Sequence, residues 1–150
     1  MKFNNKIIDC FIFYNELDIL NMRLHELNDH VDLFIIIESK HTFSLEEKPL
    51  YYTENKHLFE PYNHKIVSFV IDNLNTIGKT NWDREWYSRN YINYCLETSN
   101  IDAESIILIS DAVSYTHLRA HETLMNLVCR LLLEKNNPPY GLHPMLLRNY

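Results

Sequence analysis

A chain of 150 residues has room for one domain around one core. Its 46% hydrophobic and 23% charged residues exclude a disordered chain, and a net charge of −6 without a run of Lys or Arg excludes a nucleic-acid-binding surface, which needs clustered cations. Cys10, Cys95 and Cys129 are too few and too scattered for a disulfide framework, and no stretch approaches the roughly 20 apolar residues of a membrane span.

In chain order, residues 7–14 (Ile-Ile-Asp-Cys-Phe-Ile-Phe-Tyr) are rich in branched and aromatic side chains and predict a buried strand. The run is short and interrupted by Asp9, unlike a signal peptide, so a cytoplasmic protein is expected. Asn15 is placed to cap a helix, with Glu16 and Asp18 in its first turn. Leu17, Leu20, Leu24 and Leu27 then recur at helical spacing, and Asn28-Asp29 ends the helix. Residues 33–37 predict a second strand, which a crossover helix would make parallel to the first. A polar loop runs from Glu38 to Tyr52, followed by a short helix over about 53–59 that Pro61 ends. Residues 65–71 are the third predicted strand and 72–79 a loop. Thr80 or Asn81 caps a helix whose buried side is expected to include Trp82, Trp86, Tyr91 and Cys95. Residues 106–109 form the fourth strand and deliver Ser110 and Asp111 to its C-terminal end.

Strands alternating with helices predict an α/β, Rossmann-like fold with a mostly parallel sheet and flanking helices. Ligands of such folds bind beyond the C-terminal strand ends, which carry Asn15-Glu16, Glu38-Ser39, Asp72-Asn73 and Asp111. Only Gly78 and Gly141 occur, so a glycine-rich phosphate loop is unavailable. Gly78-Lys79-Thr80 looks like the end of a P-loop, but its required earlier glycine falls at Asn73. A nucleotide would have to be held by side chains and a metal.

Residues 7–18 and 34–39 resemble the opening of family 17 glycosyltransferases. So do Thr42-Phe43, Lys48-Pro49-Leu50-Tyr51, Arg84-Glu85, Arg89-Asn90 and residues 107–111, all in the right order. The resemblance implies a GT-A-like fold, a nucleotide-sugar donor, a glycan or other acceptor, and a divalent metal, Mn²⁺ or Mg²⁺. It implies donor-binding roles for Asn15, Glu16, Glu38, Arg84 and Arg89. Asp111 matches the first carboxylate of the family's Asp-x-Asp-Glu metal motif, but Ala112, Val113 and Ser114 follow it. Hard oxygen ligands suit such a metal, and one carboxylate holds it poorly.

Each of these residues also has a plainer use. Asn15 and Glu16 can be a helix cap and first-turn acid, and Glu38 a loop carboxylate. Arg84 and Arg89 can pair with Asp83, Glu85 or Glu97. Trp82, Trp86 and the neighbouring tyrosines are expected in the core. The histidines before residue 111 have no ligand spacing and are expected to be surface or structural.

Residues 113–123 (Val-Ser-Tyr-Thr-His-Leu-Arg-Ala-His-Glu-Thr) resemble no enzyme motif but look like the translation of a transposase adapter used in short-read sequencing. After three variable residues, where a sample index would lie, 127–135 (Leu-Val-Cys-Arg-Leu-Leu-Leu-Glu-Lys) look like its remainder. The chain therefore divides into 1–111, the nucleotide-sugar-binding part of a glycosyltransferase domain, 112–135, an adapter-derived artefact, and 136–150, an unassigned tail. On this reading the His117/His121 spacing and the leucines of 127–133 carry no function, and the chain is truncated and inactive. The competing expectations are a noncatalytic sugar-nucleotide-binding module and an unrelated α/β interaction domain.

Overall fold

The structure is a computed structural model that describes residues 6–112. Residues 113–135 and 136–150, including His117, His121 and the leucines of 127–133, lie outside the described residues. Four strands, β1 (Ile7–Ile12), β2 (Leu33–Ser39), β3 (Ile66–Ile71) and β4 (Ile106–Asp111), form one sheet in the order β3-β2-β1-β4. Every pairing is parallel, with Cys10 opposite both Ile35 and Ile109. The fold is the expected Rossmann-like α/β arrangement.

The two-residue period of the strands sorts their side chains onto two faces. Ile8, Cys10, Ile35, Ile37 and Ile71 pack on one side with Ile92, Cys95 and Leu96 of helix α3 (Asn81–Thr98). Phe11, Phe13, Phe34 and Ile36 pack on the other with Leu20 and Leu24 of helix α1 (Leu17–Leu27), Tyr52 and Phe59. Both faces of β1 and β2 are therefore covered, which is why these strands read as continuous apolar runs. The edge strand β3 is only partly buried until Ile71.

Helix α1 carries the expected leucine stripe, but its entry differs. The N-cap is Glu16, and no side chain caps the helix. Backbone carbonyls close the turn instead: Leu17 N donates to Asn15 O and Leu20 N to Glu16 O, both at 2.9 Å. Helix α2 (Tyr51–Glu54) begins before the expected position, and a 3-10 segment (Lys56–Lys65) continues through Pro61 rather than ending there. A kink at Phe59 divides that segment. Pro61 thus falls in the opening turn of its second piece, where a missing N–H costs nothing.

Thr80 caps α3 in a reciprocal capping box with Asp83. Asp83 also accepts from the backbone N–H groups of Lys79 and Thr80, and these bonds, led by that of Thr80, hold its carboxyl below the ordinary range. Gly78 has a φ of +56°, and a Cβ there would collide with the Asp83 side chain. Gly78-Lys79-Thr80 is the entry to a helix. The buried face of α3 is Arg84, Ser88, Ile92, Cys95 and Leu96, so the expectation that Trp82 and Trp86 are core residues fails. They are 76% and 55% exposed. Two helical positions subtend about 200°, so a stripe through 84 and 88 turns 82 and 86 outward. Among the described residues no helix is long and apolar enough to cross a membrane.

Candidate functional site

A cleft of about 450 Å³ opens above the C-terminal ends of β1, β2 and β3. Phe13 and Tyr14 enter it from the end of β1, Glu38 and Ser39 from β2, and Ile71 from β3. The loop after β2 forms the opposite wall with His41, Thr42, Phe43, Ser44, Glu46 and Lys48, while Asn81 and Ser88 contribute from α3.

The loop is held in shape by its own backbone. His41 and Glu47 form an antiparallel bridge, Thr42 N donates to Glu46 O at 2.8 Å, and Lys48 N donates to Lys40 O at 2.9 Å. Arg84 ties this wall to α3. Its Nε donates to Phe43 O at 2.6 Å and its Nη2 to Asn81 Oδ1 at 2.8 Å, with the residue 5% exposed. Arg84 lies beneath the wall of the cleft rather than on its lining.

Glu38 is fully buried and does line the cleft, but both of its oxygens are engaged. Oε1 accepts from Tyr52 N at 2.7 Å, and Oε2 accepts from Thr53 N at 3.0 Å and Thr53 Oγ1 at 2.8 Å. The carboxylate serves the orphan N–H groups at the start of α2. Asn15 is exposed and Glu16 partly buried at the entry to α1, and neither is among the cleft-lining residues. The Glu16 Oε2 atom accepts from Asn15 N at 3.1 Å.

Arg89 and Asp111 do come together. Arg89 Nη2 stands 3.5 Å from Asp111 Oδ1 and 3.1 Å from Glu85 Oε1, so the arginine joins a structural ion pair to the tip of β4. The Asp111 side chain is 60% exposed. Among the described residues no group of three or more His, Cys, Asp or Glu is placed to hold a metal ion. A lone carboxylate already facing a guanidinium does not fit a divalent cation that needs several oxygen ligands.

Two features escaped the sequence reading. Asp9, fully buried in β1, receives a bidentate pair of bonds from Arg23 of α1, Nε to Oδ2 and Nη2 to Oδ1, both at 2.7 Å. Arg23 stacks 4.4 Å from the centre of the Phe11 ring, donates to Ser110 Oγ at 2.6 Å and reaches Asp111 O at 3.3 Å. One guanidinium thereby fixes the end of β4 to β1 and α1. The signal was a charge in the middle of an apolar strand, which must be paired to be buried. The second feature is Lys48, a half-buried ammonium on the cleft wall. Burial lowers its pKa from the ordinary lysine value, against the opposing pull of Glu38 and Glu16.

The sequence profile of glycosyltransferase family 17 matches residues 1–145. The chain belongs to that family. Family membership excludes an unrelated α/β interaction domain. Among curated relatives, the β-1,4-mannosyl-glycoprotein 4-β-N-acetylglucosaminyltransferases of Rattus norvegicus and Homo sapiens are each 29% identical over 112 residues. The Mus musculus enzyme of the same name is 28% identical over the same length. Each match covers 71% of this chain and 21% of the relative, so the chain spans about a fifth of the length of these curated relatives. No solved structure matches.

Proposed function

We propose that residues 1–111 are the donor-binding part of a GT-A-type glycosyltransferase, which transfers N-acetylglucosamine or a related hexose from a nucleotide sugar to a glycan acceptor. The observation that carries this reading is the cleft. It combines aromatic side chains with an ammonium at the C-terminal ends of parallel strands, where an open α/β sheet binds its ligands. Tyr14 and Phe43 offer ring surface for a nucleobase, over a floor that includes the buried Phe13. Transfer breaks the bond between the anomeric carbon and the diphosphate oxygen, and negative charge grows on the departing diphosphate. Arg89 at the tip of β4 supplies a planar cation suited to that charge.

Calorimetric titration of the full chain with UDP-N-acetylglucosamine, GDP-mannose and CMP-sialic acid tests the proposal. Saturable binding of one of them, with a dissociation constant of about a millimolar or tighter, is the expected outcome. Failure to bind any nucleotide sugar sinks it.

For this chain a noncatalytic, sugar-nucleotide-binding role is the second reading, favoured by the solitary Asp111 carboxylate. Residues 112–135 are proposed to be adapter-derived, and metal dependence is proposed for the intact domain. Adapter-free sequencing across the Asp111 codon separates the two readings, and it is needed because the family match itself runs to residue 145. A second Asp and a Glu in the genomic sequence would support the metal-dependent transferase. Residues 113–135 found there as written would leave the noncatalytic module.

A further inference from the structure

We propose that Lys48 is the anion-binding group of the cleft, taking the phosphate next to the nucleoside and giving the chain a hold on its donor that needs no metal. This rests on the reading of the cleft as a nucleotide site. Lys48 sits on the returning arm of the loop and lines the same space as Phe13, Tyr14 and Phe43. A ligand with a flat ring and a nearby anion matches that combination, and a nucleoside phosphate is the chemical class that has both.

The other cations of the region each hold a carboxylate or a short carbonyl bond, and none of them lines the cleft. Arg23 is bound to Asp9, Arg84 to the Phe43 carbonyl, and Lys40 to Asp72 at 2.6 Å. Arg89 is shared between Glu85 and Asp111. Lys48 differs from all of these. Among the described residues its ammonium reaches the carbonyls of Tyr14 and Pro49, both at 3.5 Å, and rests 5.1 Å from the centre of the Tyr14 ring and 5.7 Å from that of Tyr51. Among the described residues no carboxylate forms an ion pair with it. An ammonium has three donors, and long contacts of this kind leave them largely unspent.

Acidic groups do stand nearby. Glu46 lines the cleft and would oppose an anion, but it is exposed, where solvent and salt screen its charge. The charge of Glu38 is spread over three bonds at the start of α2. Partial burial of Lys48 strengthens its attraction for a phosphate relative to that of an exposed lysine, and its lowered pKa agrees with an ammonium short of compensating partners.

The test is a set of titrations of the full chain in EDTA with uridine, uridine monophosphate and uridine diphosphate. The wild-type chain should bind both phosphates about tenfold or more tightly than uridine, as one charge-assisted bond allows. Lys48→Met should lower both to the uridine level while leaving uridine affinity unchanged, and Lys48→Arg should keep most of the difference. The proposal is overturned if Lys48→Met retains the phosphate preference. It is equally overturned if uridine affinity falls as far as that for the diphosphate, because Lys48 then only props the loop. If the wild type binds uridine and its phosphates equally, this inference fails and the nucleotide site stands. If it binds none of the three but takes another nucleotide sugar, this inference fails alone. Binding of no nucleotide at all removes both.

Discussion

The cleft above β1 and β2 and the tip of β4 stand on neighbouring strands, yet their polar groups are treated in opposite ways. Around the cleft one carboxylate and one guanidinium are spent on the fold itself: Glu38 holds the start of α2, and Arg84 holds the Phe43 carbonyl and Asn81. At the tip of β4 the backbone is fixed by Arg23, but the Asp111 carboxylate remains in solvent beside Arg89. The wall that would recognise a ligand is thus organised before binding, which lowers the ordering cost of association. The tip has a fixed skeleton, and among the described residues no group of three or more His, Cys, Asp or Glu there is placed to hold a metal ion. The proposed function makes recognition and chemistry separable in this chain, and perturbing the groups that hold each region tests that separation.

The largest expected effect comes from the group beneath the tip. Arg23→Ala leaves the fully buried Asp9 carboxylate without its partner and should cost about 3–5 kcal/mol in chemical denaturation. Replacing both, as Asp9→Leu with Arg23→Met, should recover most of that loss, because a packed apolar pair carries no desolvation penalty. The recovered double variant still lacks the donors to Ser110 and Asp111. It should therefore keep nucleotide binding in the cleft while its β4 tip loses hydrogen-exchange protection. Equal loss of protection in both regions would show that they are one unit.

How far the sequence disclosed this arrangement depends on the range of the interaction. Continuous apolar runs in 7–14 and 33–37 disclosed the central strands, because parallel strands covered on both faces leave no polar side. A cleft does open at the strand ends, lined there by Glu38 and Ser39 but not by Asn15, Glu16, Asp72, Asn73 or Asp111. The orientation of α3 was misread because aromatic side chains were counted as core regardless of helical phase. Arg84, Ser88, Ile92 and Cys95 mark the phase, and two of those four are polar. The resemblance assigned Arg84 to the donor, and its bond to a backbone carbonyl 41 residues away is one that no spacing rule reveals. For Arg89 the Glu85 partner was among the pairings the sequence allowed, whereas its contact with Asp111, on a different element, was not. Asp9 and Arg23 were legible in principle, since a charge in a buried strand demands a partner, and the leucine stripe of α1 places Arg23 on the same side.

A moderate effect should follow from loosening the wall of the cleft. Arg84→Met keeps much of the apolar stem but removes the donors to Phe43 O and Asn81 Oδ1. An unpaired, partly buried carbonyl should cost about 1–3 kcal/mol of stability. Nucleotide affinity should fall for uridine and uridine diphosphate alike, in contrast to Lys48→Met, because the whole wall moves rather than one charge. Limited proteolysis should detect new cleavage within residues 40–49. If Arg84→Met instead reduces only the phosphate-dependent part of binding, its guanidinium contacts the ligand and the positioning role is wrong.

The smallest effect over one pH unit concerns the floor that supports both regions. Cys10 in β1 and Cys95 in α3 are fully buried in the same cluster of the core. Burial pushes the Cys95 thiol up from 9.0 to about 12, with a hydrogen bond from its own backbone opposing the rise. Burial, followed by the neighbouring charge of Asp9, raises Cys10 as well. In the unfolded chain both thiols ionise near their ordinary value, whereas in the folded chain they stay protonated to higher pH. Between those limits the folded state binds more protons than the unfolded state, so stability is unaffected below about pH 9 and falls as pH rises toward 12. Each thiol contributes a loss of at most about 1.4 kcal/mol per pH unit. Cys10→Ala with Cys95→Ala should be less stable at pH 7 through lost packing, yet show a shallower decline between pH 9 and 11. In the wild type, a thiol reagent at pH 8 should leave both cysteines unmodified until denaturant unfolds the chain. Early modification of Cys95 while Cys10 stays protected would show that α3 lifts from the sheet on its own, making the wall of the cleft less permanent than the β1 floor.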